Sequence, residues 1–362
     1  MTGMSPLAIK LIDDSFLDEN GKIKSDLKFN INNPTFKIQN SKLLVNSGKF
    51  KTMLFLPEGE DRKGEGGLRT KGFFKFSYKY VNNTWMIADY YGNALTKVPS
   101  DIVVKINEYI RTTENSAIKE LPLITVITVV YNGEKYLEQT IQSVISQTYP
   151  NVEYIIIDGG STDGTIDIIK KYEDYVDYWV SEKDGGIYDA MNKGIDLSTG
   201  TWINFMNAGD GFYADDVLDK IFLQNKLQNL DVVYGNHNVI YPNRKRVVKA
   251  GNIKDIWKGS QFCHQSAFVS SKVHKSNKFN LNNRIGADFE LFYTLYKKNM
   301  GFKDIDIIVA NYSAGGLSDI KRVDSIVGRW NVVEKDTKVN LYYVWTVLKE
   351  ILKSWVKRVV EK

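Results

Sequence analysis

An α/β fold built on a mostly parallel sheet is what this sequence predicts, and three observations predict it. Residues 123–130 read LITVITVV, a leucine followed by an unbroken β-branched run of the kind found in strands buried on both faces. From there to residue 206, such runs alternate with segments of helical period. Each run is followed by a polar, glycine-bearing stretch: Tyr131-Asn132-Gly133, Asp158-Gly159-Gly160, Asp184-Gly185-Gly186 and Ala208-Gly209-Asp210.

Taken in order, residues 1–120 form a β-rich accessory region rich in Asn, Lys and Gly, to which the sequence assigns no function. Within it, 73–80 and 84–91 read as a β-hairpin with Asn82-Asn83 as turn residues. The polar, Gly-rich stretch 58–72 reads as a mobile or ligand-covering loop. Residues 101–112 have helical spacing through Val104, Ile106 and Ile110. The α/β unit spans 121–318. Its strand 123–130 is followed by a helix over 134–147, with Leu137, Ile141, Val144 and Ile145 on one face. Tyr149-Pro150 stops that helix. Strand 154–157 (YIII) leads to a helix over 162–172, opened by Ser161 and Thr162 with Asp163 in its first turn. A short strand over 178–180, a helix over 187–194 and a strand over 202–206 (WINFM) complete the alternation. Residues 319–362 form a helical segment. There Leu341, Val344, Trp345, Leu348, Leu352, Trp355 and Val359 share one face, with Lys349, Lys353, Lys357 and Arg358 toward the others. Such a basic amphipathic helix either lies on a membrane surface or packs its stripe on its own protein.

The composition is that of a globular protein, 43% hydrophobic and 25% charged over 362 residues. A net charge of +5 with no nucleic-acid-binding motif excludes nucleic acid as the expected partner. Cys263 is the single cysteine, so no internal disulfide and no cysteine-rich metal site form. The first fifteen residues lack a secretory pattern, and no apolar run of about 18 residues occurs. A cytoplasmic protein is expected, at most peripheral on the inner face of the membrane. Self-association is left open.

Ligands of open α/β sheets bind beyond the carboxyl ends of the strands, so the glycine-bearing stretches mark a shared cleft. Asp158 directly follows a buried strand. Its carboxylate can accept from a base N–H or a ribose hydroxyl, or it can cap the next turn. Asp210 is a lone carboxylate that, with a donor diphosphate, suits Mg²⁺ or Mn²⁺; the bland alternative is a turn aspartate. Neither a P-loop nor a dinucleotide fingerprint is present, which argues against ATPase and dehydrogenase chemistry.

Three segments in order, PLITVITVVYN (122–132), SVISQTYPNVEYIIIDGGSTDGT (143–165) and SEKDGGIYDAMNKGI (181–195), resemble the family 2 glycosyltransferases of GT-A fold. The likeness runs from about residue 122 to 316. It implies a Rossmann-like sheet flanked by helices and a nucleotide pocket walled by Thr128, Tyr131 and Asn132. Asp158 is then the base contact, and Asp184, Asn192 and Lys193 lie in the segment that closes over the nucleotide sugar. NAGD (207–210) takes the place of the family's DxD-type motif. Asn207 and Gly209 stand where acids are common, so Asp210 alone is expected to keep the metal. His264, in FCHQSAF, matches a position expected at the diphosphate or metal, with Gln265 beside it; a histidine satisfied in the core is the equal alternative. Asp288, in GADFELF, matches the acidic position on the acceptor side and is the expected general base, with Glu290 as substitute. Arg284 is a surface arginine or an anion contact.

The implied function is inverting transfer from a nucleotide-diphosphate sugar, UDP being the expected nucleotide. The implied acceptor is a glycan or a polyprenyl-diphosphate-linked oligosaccharide of O-antigen or capsule type. Residues 338–362 would touch the membrane. The weakened NAGD motif also fits a nucleotide-sugar-binding protein that has lost catalysis. A nucleotidyltransferase is disfavoured, because YNGEKYLEQ replaces a basic Gly-rich loop after the first strand.

Overall fold

The computed structural model describes residues 7–12, 14–24, 53–59, 61–89, 92–113, 115, 117–315 and 321–360, with side chains to 356 at the C-terminus. The expectations for the remainder of residues 1–120, and for the side chains of Lys357, Arg358 and Val359, lie outside the described residues.

The β-branched runs form the strands they predict. Ile124–Val130, Val152–Asp158, Tyr178–Ser181 and Trp202–Phe205 lie parallel in one block. Every residue of Ile124–Val130 is buried, because both faces are covered. Ile127 and Val129 pack into one core with Met191 and Ile195 of helix Ile187–Leu197. Val126 and Val130 pack into the other with Leu137, Ile141 and Ile169 of helices Leu137–Ile145 and Thr165–Lys171. Strand alternation thus divides one apolar run between two cores.

Beyond Trp202–Phe205 the sheet is mixed. Ala267–Ser270 inserts antiparallel between it and Val232–Tyr241, which pairs parallel with Phe302–Ser313. Among the described residues the whole sheet has ten strands, with Gly64–Gly66 at the far edge. That edge strand pairs antiparallel with Tyr178–Ser181. The predicted loop over 58–72 is therefore in part an ordered strand and a 3-10 turn, Leu68–Lys71. Its glycines serve close approach rather than freedom. A Cβ on Gly66 would lie 1.9 Å from Glu173 Oε1 and 2.5 Å from Trp179 Nε1.

Two buried ion pairs join the N-terminal region to the sheet. Arg69 Nη2 meets Glu153 Oε1 at 2.5 Å, and Lys75 Nζ meets Asp177 Oδ2 at 2.7 Å. The hairpin Ser77–Val81 and Thr84–Ala88 turns at Asn82 and Asn83, both with positive φ, as a two-residue hairpin turn needs. It extends into a separate four-stranded sheet with Ala94–Lys97 and Glu120–Leu121. Helix Ser100–Thr112 follows. The C-terminal helices are Arg322–Val332 and Thr337–Val360. None of the described helices is long and apolar enough to cross a membrane.

Candidate active site

The carboxyl ends of the parallel strands open into a cavity of about 680 Å³. Its lining includes Tyr131, Gly159, Gly160, Asp184 and Ile187 from the strand ends, and Asp61 and Lys63 from the N-terminal region. The loops beneath it are stitched together. The backbone N–H of Asn132 donates to Ser161 Oγ at 2.7 Å, and Asn132 Oδ1 accepts from the N–H of Thr162 at 2.9 Å. Asn132 has φ 49°, which turns the chain sharply at the strand end.

Asp158 is fully buried under this cavity. Its Oδ2 accepts from the N–H groups of Gly160 and Ser161 at 3.2 and 3.0 Å and from Ser181 Oγ at 2.5 Å, while Ser161 Oγ donates to Oδ1. The carboxylate therefore organises the 159–161 loop directly. The space beside Gly159 is filled by Asp184, whose Oδ2 would stand 2.6 Å from an added Cβ. Asp184 itself accepts from the N–H of Gly186 at 2.8 Å and lines the cavity.

Of the residues predicted for the pocket, Tyr131 and Asp184 line the cavity, and Asn132 and Asp158 lie beneath it, the Asp158 carboxylate taken up by protein donors instead of facing a base, while Thr128, Asn192 and Lys193 lie elsewhere. Thr128 is buried inside the sheet, donating to the Met206 carbonyl at 2.7 Å. Asn192 grips the backbone of Phe279 through both ends of its amide, at 2.9 Å each. Lys193 pairs with Glu182 at 2.8 Å.

A second cluster forms where NAGD, FCHQSAF and GADFELF converge. Asp210 is nearly buried; Gln265 Nε2 donates to its Oδ2 at 2.6 Å and the Ser313 N–H to its Oδ1 at 3.0 Å. Burial pushes its carboxyl up from the ordinary range, against these two hydrogen bonds and nearby His264. Asn207 Nδ2 lies 3.1 Å from His264 Nε2, and His264 Nδ1 lies 3.4 Å from Asp288 Oδ2. Tyr188 donates to Asp288 Oδ1 at 3.2 Å. If His264 carries its proton on Nδ1, it donates to Asp288 and accepts from Asn207. Burial acts to raise the Asp288 carboxyl, but the hydrogen bond and charge interaction with His264 prevail and hold it below the ordinary range. Glu290 points elsewhere, accepting from Asn280 and Asn283 at 2.9 and 2.8 Å. Arg284 is exposed. Gly209 has φ 99°, and its carbonyl accepts from Ser313 Oγ at 2.6 Å, tying the NAGD turn to the strand Phe302–Ser313.

The two clusters adjoin through helix Ile187–Leu197. Ile187 lines the cavity while Tyr188, the next residue, touches Asp288. The fold thus brings Asp210, His264 and Asp288 together, with Asp184 and Tyr131 at the neighbouring cavity. Sequence reasoning missed Tyr188, Asp61 and Lys63. Tyr188 lies inside a recognised motif and could have been found from its helix position. The other two carry no motif.

Among the described residues no group of three or more His, Cys, Asp or Glu side chains could hold a metal ion unaided. The donors present still suit a hard cation completed by a ligand's oxygens. Asn207 Oδ1 is buried with no hydrogen-bond partner, on the same turn as the Asp210 carboxylate.

The model of the family described as "Glycosyl transferase family 2" matches residues 125–299. A "PGL/p-HBAD biosynthesis glycosyltransferase" of Mycobacterium tuberculosis is 29% identical over 206 residues, covering 55% of this chain and 80% of its own. An uncharacterised glycosyltransferase of the same species is 34% identical over 175 residues, covering 47% of this chain and 67% of its own. Among solved structures, Staphylococcus aureus TarS (residues 1–349) in complex with UDP aligns with a TM-score of 0.47 at 16% identity, over 61% of this chain and 69% of that one. The mannosyltransferase PcManGT of Pyrobaculum calidifontis, in complex with GDP-Man and Mn²⁺, aligns with a TM-score of 0.47 at 17% identity, over 60% and 66%.

Proposed function

Because this chain belongs to the family 2 glycosyltransferases, we propose that it transfers a sugar, with inversion, from a nucleotide-diphosphate donor to a hydroxyl of a glycan acceptor. The observation that carries this reading is the Asp288 carboxylate, held by His264 and Tyr188 beside the strand-end cavity. A depressed carboxyl stays ionised at neutral pH and can accept a proton. In the proposed step, the acceptor oxygen bonds to the anomeric carbon as the bond to the diphosphate breaks. The hydroxyl proton passes to Asp288. His264 and Tyr188 keep the carboxylate aimed, and Asn207 orients His264 in turn.

Asp210 and Asn207 would hold Mg²⁺ or Mn²⁺, with Gln265 and Ser313 fixing the Asp210 carboxylate. The ion would offset charge on the departing diphosphate. The nucleoside belongs in the cavity, against Tyr131, Asp184 and Ile187. UDP is our expected nucleotide.

We place the acceptor on a membrane, as a lipid-linked oligosaccharide of surface-polysaccharide type, with the enzyme peripheral on the inner face. Support comes from helix Thr337–Val360. Its first turns dock through Val339 and Tyr343, while Leu341, Trp345, Leu348, Leu352 and Trp355 stand more than half exposed. Lys349 and Lys353 flank this stripe, which suits an anionic bilayer surface. A second reading, donor binding without turnover, draws on the single acid of NAGD.

The test is a screen of UDP-, GDP- and dTDP-sugars for hydrolysis or transfer with and without Mn²⁺ or Mg²⁺, with the product anomer read by NMR. Metal-dependent turnover that inverts configuration is expected, and loss of it in Asp210→Ala and Asp288→Ala. Retained configuration would overturn the mechanism. Donor binding with no turnover under any condition would favour the second reading.

A further inference from the structure

We propose that Asp61 and Lys63, outside the family-matched residues, complete the donor site: Asp61 accepts hydrogen bonds from the nucleoside, and Lys63 positions the loop beneath it. This rests on the reading of the cavity as the donor pocket.

The segment carrying them is held firmly in place. Gly64–Gly66 pairs with Tyr178–Ser181, and the Lys63 N–H donates to the Ser181 carbonyl at 2.8 Å. Arg62 reaches Glu182 through Nη2 at 2.7 Å and Nε at 3.1 Å, and donates to the Pro57 carbonyl at 2.6 Å. Tyr178 donates to Glu65 at 2.8 Å. The glycines press the segment flat on Trp179, where a Cβ on Gly64 would stand 2.9 Å from its ring.

From this edge Lys63 Nζ donates to the carbonyls of Gly160 and Ser161, at 2.8 and 2.9 Å. The same loop is held from beneath by Asp158, which takes the N–H groups of those two residues. Lysine on the carbonyl side and aspartate on the amide side fix both ends of the Gly160–Ser161 peptide. The loop lining the cavity is therefore clamped rather than free, and Lys63 is a positioning residue.

Asp61 is exposed on the cavity wall, sharing that lining with Asp184 and with apolar Ile187 and Ala190. Two carboxylates and an apolar surface suit a group with several N–H or O–H donors and one flat apolar face. A ribose with its attached base has this character.

The test measures Kd for UDP, GDP and dTDP in separate titrations of the wild type, Asp61→Ala, Asp184→Ala and Lys63→Met, with donor KM and kcat for whichever sugar is turned over. A hydrogen bond to a charged group suggests a loss of roughly 10- to 100-fold in nucleotide affinity for Asp61→Ala. The donor KM should rise in proportion, with kcat and acceptor KM within about twofold. Lys63→Met should raise donor KM, and Lys63→Arg should recover part of the loss. Asp61→Ala with wild-type Kd and KM, while Asp184→Ala weakens binding, overturns this proposal and leaves the donor pocket standing. A wild type that binds none of the three nucleotides removes the pocket reading and this proposal with it.

Discussion

Replacing Asp288 with asparagine tests the proposed chemistry with little change of shape. Asparagine keeps an oxygen for the Tyr188 hydroxyl, now 3.2 Å from Oδ1, and a polar group toward His264 Nδ1, now 3.4 Å from Oδ2. It cannot accept a proton. A positioned general base contributes about 10²- to 10⁴-fold, which is roughly 2.7–5.4 kcal/mol of barrier. We expect kcat to fall by that factor while nucleotide affinity stays within about twofold of wild type, because Asp288 is not among the cavity-lining residues. Single-turnover transfer with separate binding titrations is the assay. A kcat within about fivefold of wild type would refute Asp288 as base. The pH dependence follows from sign. Asp288 has a depressed carboxyl, so it is ionised, and its stabilising contacts are fully present, above an unfolded value of about 3.9. Both are lost as pH falls through the still lower folded value. No acid limb from Asp288 should therefore appear between about pH 5 and 8.

Further outcomes follow from other contacts. Arg69→Met strands the Glu153 carboxylate in the core, where Thr125 Oγ1 at 2.5 Å and the Thr199 N–H at 2.8 Å still donate to it. Urea unfolding should show a loss of about 3–5 kcal/mol, partly recovered by adding Glu153→Gln; a loss below about 1 kcal/mol would contradict a buried pair. With UDP present, Mn²⁺ should raise the wild-type Tm, and by less as pH falls through the raised carboxyl range of Asp210, since the proton competes with the ion. Asp210→Asn should show no such shift, and an unchanged shift would remove Asp210 as ligand. Trp345 and Trp355 are 65% and 62% exposed. The double change to alanine should abolish sedimentation with anionic vesicles while the melting temperature holds, and undiminished sedimentation would exclude this face.

The parallel half of the sheet was legible because one period of alternation suffices. Residues 123–130 contain nothing but residues that tolerate burial on either face, and Asn82-Asn83 can only turn. The acidic positions were legible as single residues, since each follows a strand or opens a helix. What linked them was not. Ala267–Ser270 reaches the strand Trp202–Phe205 across more than sixty residues of chain, and no local pattern announces that pairing. The placement of His264 between Asn207 and Asp288 depends on it. Thr128 was expected at the pocket through the family resemblance. Its side chain is directed inward by the pleat, toward Met206 and Tyr154. The mobile reading of residues 58–72 misled for a chemical reason, whereas the ligand-covering one agrees with Asp61 and Lys63 on the cavity wall. Glycine marks flexible loops, yet here it permits contact with an indole ring that any larger residue would strike.

The threading of Gly64–Gly66 along Tyr178–Ser181 bears on how this protein can be trimmed. A fragment cut to residues 125–299 would uncover the backbone of Tyr178–Ser181, leaving its hydrogen-bonding groups open to pair with another molecule. It would also leave Glu153 and Asp177 without their cations in the interior. Such a fragment should form insoluble assemblies, whereas one beginning before Met53 should keep the sheet margin capped and remain dispersed.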